Sequence, residues 1–179
     1  RDRNLEAPSA KKIKKELVAH NDVRVDNYFW LNNKNDENVI NYLNTENKYT
    51  KQVLKKTEDL QKELFGEMKS RIKKDDMSVP YFFNEYWYIK RFEKGKDYPI
   101  YTRKYKSLEN EEEILIDVNK LAKKYKYYNI GGLSISPNNK ILAFSFDTLS
   151  RRLYSIKFLN LESRKYYKET IQNTTGSIT

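Results

Sequence analysis

Hydrophobic and polar positions change period along the chain, and each change predicts a different kind of element. Residues 1–34 carry no helical stripe, because Pro8, the cluster from Lys11 to Lys15 and the Asn32-Asn33 pair interrupt it. The stretch reads as an extended or irregular arm. Within it Tyr28-Phe29-Trp30-Leu31 forms an apolar knot that needs a surface to dock on. From Asp36 onward Val39, Tyr42, Leu43, Tyr49, Val53 and Leu54 recur mostly at three- and four-residue spacing. That pattern predicts an amphipathic helix with Asp36 as its N-cap. Leu60, Leu64, Phe65, Met68 and Ile72 predict a second helix. Thr57 is its expected N-cap, and the basic turn of Lys69, Arg71, Lys73 and Lys74 suits the negative end of the helix dipole.

After Asp75-Asp76 the period falls to two. Tyr86–Phe92 and Pro99–Lys104 are aromatic and β-branched, and they flank Glu93-Lys94-Gly95-Lys96, a short hairpin loop. Glu113–Asp117 predicts a third strand. Leu133–Ser136 leads to the turn Pro137-Asn138-Asn139, where proline sets φ and asparagine tolerates the left-handed region. Leu142, Phe144 and Phe146, then Tyr154, Ile156 and Phe158, alternate with smaller or polar residues as half-buried strands do. The strand groups, from Tyr81 to Asp117 and from Leu133 to Tyr167, start roughly 50 residues apart, the period of a propeller blade.

The expected fold is therefore mainly β with an N-terminal α-helical segment. Residues 1–76 form an arm and two helices, and residues 77–179 form the first blades, about two, of a larger β-propeller. Two blades leave a face and an edge unpaired, so the chain is expected to continue, with Asn173–Thr179 as the run-up to another strand. Open edges should make it self-associate, exposing apolar side chains such as Phe144 and Ile156.

Composition narrows the function classes. The 179 residues include 38% apolar side chains, 15 Tyr, 8 Phe and 2 Trp, which can furnish a packed core although mean hydropathy is −0.93. Cysteine is absent, which excludes disulfides, thiolate zinc sites and cysteine nucleophiles. No uninterrupted apolar run approaches the roughly 20 residues a bilayer span needs. The chain opens Arg1-Asp2-Arg3 without Met or an apolar segment, so any leader is out of view. A cytoplasmic location is expected, with a periplasmic one as the alternative.

Thirty-five basic against 25 acidic side chains leave a net charge of +10, carried mostly by residues 77–179. A basic surface raises the possibility of RNA or another polyanion as partner for a stand-alone binding module. The lysines are interleaved with glutamates and no RNA- or DNA-binding motif occurs, so no nucleic-acid partner and no membrane partner is expected. A non-enzymatic propeller serving as an interaction protein is the other alternative.

Candidate chemistry is sparse. His20, the single histidine, lies near Asp22 and Asp26, and a packed or capping role fits it better than a general base. No Gly-x-Ser-x-Gly elbow occurs, and Gly131-Gly132-Leu133-Ser134 lacks the spacing. Glu111-Glu112-Glu113 and Asp75-Asp76 read as solvated turns rather than a cation site. Tyr86, Trp87, Tyr88, Tyr98 and Tyr101 could stack bases, but cross-strand packing explains them without a ligand. No metal and no cofactor are expected. Arg151-Arg152, after Asp147, forms a basic loop suited to ion pairs with another domain.

Several segments in series resemble the prolyl oligopeptidase family of serine peptidases, most closely its oligopeptidase B, or protease II, branch. They are His20-Asn21-Asp22-Val23-Arg24-Val25-Asp26-Asn27-Tyr28-Phe29-Trp30-Leu31, Tyr42-Leu43-Asn44-Thr45-Glu46-Asn47 and Met68–Pro80. Tyr86-Trp87-Tyr88 with Gly95–Tyr101, then Asp117-Val118-Asn119, Ser134–Asn138, Ala143-Phe144-Ser145 and Asp147, continue the series. The resemblance implies a seven-bladed propeller inserted near the start of an α/β-hydrolase domain. It also implies that the segment before the propeller packs with that catalytic domain, with Tyr28 and Trp30 beside Arg151 and Arg152 as expected interdomain contacts. The propeller would restrict access to short peptides, cleaved after Arg or Lys. The family's catalytic serine, aspartate and histidine lie far beyond residue 179, so this stretch is expected to be non-catalytic and inactive alone.

Overall fold

A computed structural model of the protein describes residues 5–178, so the opening Arg1-Asp2-Arg3 and Thr179 lie outside the described residues. The chain divides into two compact units, with the boundary between Ile72 and Lys73.

The N-terminal unit begins differently from the expected irregular arm. Strands β1 (Lys15–Ala19) and β2 (Asp22–Asp26) pair antiparallel, Ala19 opposite Asp22 and Lys15 opposite Asp26. The turn is His20-Asn21, with φ of 52° and 61°. Two successive positive φ values give the primed two-residue turn whose twist matches that of its strands. Asp22-Val23-Arg24-Val25-Asp26 does alternate, but the alternation marks no buried face, since Val18, Val23 and Val25 are all exposed. A one-turn 3-10 helix follows at Phe29–Asn32. Helix α1 (Glu37–Leu54) starts as expected, with Asp36 Oδ1 accepting the Asn38 N–H at 2.8 Å.

Helix α2 (Glu58–Ser70) starts without the expected cap. A single 3-10 turn, Lys55–Thr57, joins it to α1, and the Glu58 N–H already bonds to the Lys55 carbonyl. The Thr57 hydroxyl instead donates to the Leu54 carbonyl at 2.7 Å and accepts from Gln61 Nε2 at 2.7 Å. Leu60, Leu64, Phe65, Met68 and Ile72 are all exposed. The amphipathic stripe is thus present without a core beneath it.

The C-terminal unit contains two four-stranded antiparallel meanders. The first runs β3 (Tyr81–Phe83), β4 (Tyr86–Arg91), β5 (Ile100–Tyr105) and β6 (Glu112–Asp117). A short helix, α3 (Val118–Ala122), leads to the second, β7 (Asn129–Ile135), β8 (Ile141–Asp147), β9 (Tyr154–Asn160) and β10 (Tyr166–Thr174). In each, strand order equals chain order and neither sheet closes on itself. These are propeller blades.

The core lies between the sheets, where Tyr88, Leu115 and Ile116 of the first meet Leu142, Phe144 and Leu159 of the second. Phe144, expected at an exposed edge, is only 1% exposed, and Ile156 is half-buried. The reason is position within the sheet. β8 is an inner strand, and its alternation turns Leu142 and Phe144 toward the first blade. The stretch from Asn173 also differs from expectation, since Asn173 and Thr174 finish β10. Gly176, at φ 93°, then brings its carbonyl to the Ser145 hydroxyl of β8.

Candidate functional site

Strand alternation puts an arginine where a hydrophobe would be expected. Arg103 follows Tyr101 on the inward face of β5 and is 3% exposed. Its Nε donates to Glu113 Oε2 on β6 at 2.6 Å, and its guanidinium lies 4.0 Å from the Tyr86 ring centroid. Both Nη atoms reach the Asn139 carbonyl in the β7–β8 turn, at 3.3 Å each. Burial works against the charge, but the Glu113 carboxylate overrides it, so this guanidinium holds its proton more tightly than an ordinary arginine. Beside it, Asn84 donates to the Pro137 carbonyl and to Asn139 Oδ1, while Asn139 Nδ2 donates to the Asn84 carbonyl. Arg164 adds a bond to the Leu115 carbonyl at 3.1 Å. The two blades are therefore clamped by directional polar contacts as well as by apolar area.

The same strand geometry corrects the reading of the acidic run. Glu112 and Glu113 open β6 and face opposite sides, Glu112 forked with Arg91 at 2.9 to 3.2 Å and Glu113 with Arg103. They are ion-pair partners rather than a solvated turn. The aromatic residues pack across strands: Tyr81 stacks on Tyr88 at 5.2 Å, and Phe82 meets Trp87 at 5.1 Å.

Along the inner ends of the sheets lies a cavity of about 500 Å³. Its walls are Val79, Tyr81 and Phe83 on one side and Leu133, Ser134 and Ile135 on the other, with Tyr88 and Tyr101 beneath. Among the described residues β3 pairs only with β4, and β7 only with β8, so both walls are sheet edges. Tyr88 is 6% exposed, and among the described residues its fully buried hydroxyl has no partner in hydrogen-bond geometry, although the Arg103 guanidinium lies close to it. Burial raises its pKa, with the Arg103 guanidinium opposing.

Arg151 and Arg152 lie in the β8–β9 loop, which folds around a buried carboxylate. Asp147, 2% exposed, accepts backbone N–H bonds from Leu149 (2.7 Å), Arg151 (3.0 Å) and Arg152 (2.8 Å). Burial by itself would raise this carboxyl's pKa; the backbone donors outweigh it and hold the group below the usual aspartate range. Ser150 and Arg152 sit at φ 57°, and both arginines are exposed. Because the unfolded chain binds the proton more readily than the folded one, Asp147 contributes stability above the ordinary aspartate pKa of about 4. That contribution fades as pH falls through the lowered folded value. Asp147→Asn should flatten this acid limb in urea titrations from pH 6 to 2. An unchanged slope would show that the loop does not draw on the carboxylate.

Tyr28 and Trp30 belong to the N-terminal unit. Trp30 Nε1 donates to the Lys11 carbonyl at 2.9 Å, and its ring meets Tyr42 of α1 edge-on at 6.1 Å. Part of the apolar knot thus docks on its own helix, while Tyr28 stays exposed. His20, expected to be packed or capping, is an exposed turn residue, because the hairpin requires a left-handed backbone there. The nearby Asp26 carboxylate accepts the Tyr28 N–H.

Sequence reasoning missed Arg103, Asn84, Asn139 and the Asp147 carboxylate. Asn139 and Asp147 were visible only as a turn residue and as part of the resembling series, and Arg103 only as a charge in register with Tyr101 and Tyr105 on an otherwise aromatic face.

Residues 8–179 match the family model described as prolyl oligopeptidase, N-terminal beta-propeller domain. Dipeptidyl aminopeptidase BI of Pseudoxanthomonas mexicana is 37% identical over 94% of this chain and 26% of its own length. Protease 2 of Moraxella lacunata is 27% identical, over 94% of this chain and 25% of its own. Oligopeptidase B from Leishmania major superposes with a TM-score of 0.85 at 27% identity, covering 97% of this chain and 27% of that one. The chain spans about a quarter of the length of these relatives.

Proposed function

Since the chain belongs to the prolyl oligopeptidase family, through the N-terminal β-propeller domain that it matches from residue 8 to 179, we propose that it is the non-catalytic first part of a serine oligopeptidase. The observation that carries this reading is the match of both units, over nearly the whole chain, to oligopeptidase B. In the whole protein the blades restrict access to short peptides, which are cleaved after Arg or Lys by a triad outside these 179 residues. The test uses a fluorophosphonate reagent for active serines on this chain and on the full-length protein. Labelling of the full-length protein alone, with hydrolysis of blocked Arg and Lys esters, supports the reading. Labelling of the 179-residue chain would overturn it. Release of free dipeptides without cleavage after basic residues would replace the specificity and keep the family.

The N-terminal helices and the basic loop serve as contacts for the hydrolase domain in this reading. Three features support it: the bare apolar stripe of α2, exposed Tyr28 with half-buried Trp30, and the Asp147-braced loop that presents Arg151 and Arg152. Charge reversal, Arg151→Glu with Arg152→Glu, should lower kcat/KM of the full-length enzyme on the order of tenfold, with a salt-dependent part. Unchanged activity and stability would remove the loop from the interface. The isolated chain, with the stripe uncovered, should self-associate, seen as a sedimentation coefficient that rises with concentration. A single monomer boundary at high concentration would count against that.

A further inference from the structure

We propose that the groove between β3 and β7 is a binding site for an extended peptide segment, holding one of its uncharged apolar side chains between the two blades. The inference rests on the peptidase reading and adds a recognition site remote from the scissile bond. Three observations carry it. The groove is an opened continuation of the established blade-to-blade interface, since Tyr88, Leu115 and Leu142 of the common core also line it. At about 500 Å³ it has room for a large side chain.

Second, its walls are strands with one free edge each. A peptide laid beside such an edge gains main-chain hydrogen bonds, and pockets for alternate side chains supply selectivity. Val79, Tyr81 and Phe83 repeat with the two-residue period that such a peptide would present to them. They are 87%, 62% and 58% exposed. The edge of β7 is free only in part. The Gly176 carbonyl and Ile178 N–H crowd Gly132, so the peptide is directed to the Leu133–Ile135 half.

Third, the lining selects against charge. Its one ionic side chain is Lys90, whose ammonium group sits 5.7 Å from the Phe92 ring centroid. The other lining residues are neutral.

The experiment uses the full chain and a blocked tetrapeptide, acetyl-Ala-Leu-Ala-Leu-amide, with diazirine leucines for photo-crosslinking and mass-spectrometric mapping. Saturable labelling of Tyr81, Phe83, Leu133 or Ile135 is expected, and an aspartate-containing analogue should not compete. Val79→Asp, a change at a surface position that leaves the fold intact, should cut labelling at least fivefold, and Leu133→Asp further. Scattered labelling, or labelling indifferent to Val79→Asp and Leu133→Asp, overturns the proposal. So does labelling suppressed by raising protein concentration, which would show the groove filled by a second copy. Because the readout is binding, failure of the peptidase reading would appear separately, in the serine-reagent assay.

Discussion

Phe144→Ala lowers the stability of the C-terminal unit by about 3–5 kcal/mol, the cost of emptying a large aromatic site in a close-packed core. Phe144 is 1% exposed and its ring meets Phe146 at 5.9 Å and Tyr166 at 6.2 Å, so the cavity would be bounded by side chains already fixed on β8 and β10. Partial collapse cannot refill it without moving β8. Ile156→Ala, at a half-buried position on β9, should cost about 1 kcal/mol. Urea unfolding followed by Trp87 fluorescence distinguishes the two. Equal, small losses would mean that the sheets do not share a core.

Gly131→Ala is the second large effect, expected at about 1–3 kcal/mol through overpacking. A Cβ there would lie 2.7 Å from Ser145 Oγ, 2.7 Å from the Tyr154 ring and 2.9 Å from the Gly176 carbonyl. None of these can retreat freely. Ser145 Oγ accepts the Gly132 N–H at 2.9 Å and donates to the Gly176 carbonyl, while the Tyr154 hydroxyl accepts from Asn129 Nδ2 at 2.8 Å. Relief would therefore break bonds in β7, β8 and the segment after β10 together. Gly66→Ala is the control: it meets nothing within 4 Å on the exposed helix α2 and should stabilise by about 0.5–1 kcal/mol. Faster hydrogen exchange at Gly132 in the first variant would locate the damage, and a neutral Gly131→Ala would refute the close approach.

The clamp between the blades shows why part of the site was out of reach of sequence reasoning. Asn84 and Asn139 are each turn residues by local criteria, with φ of 47° and 61°, and nothing nearby signals that they meet across 55 positions. Arg103 announces a surface strand residue until Glu113, Tyr86 and the Asn139 carbonyl are seen around it. The hairpin at His20-Asn21 failed for a different reason. Its period-two signal, Val23 and Val25 between charged residues, spans only five positions and buries nothing, so pairing comes from backbone bonds and turn geometry rather than from a core face.

Sequence by itself determined the two long helices and the order of the main blade strands, the Asp36 cap, the blade period and the family, because each rests on local spacing or on an ordered series of short segments. Tertiary structure alone decided which strand faces carry the core, why Arg103 and Asp147 tolerate burial, and that two free edges enclose a groove. Those properties arise when sheets distant in the chain are brought to within a few ångströms, where desolvation and hydrogen-bond satisfaction, absent from any local pattern, set the energies.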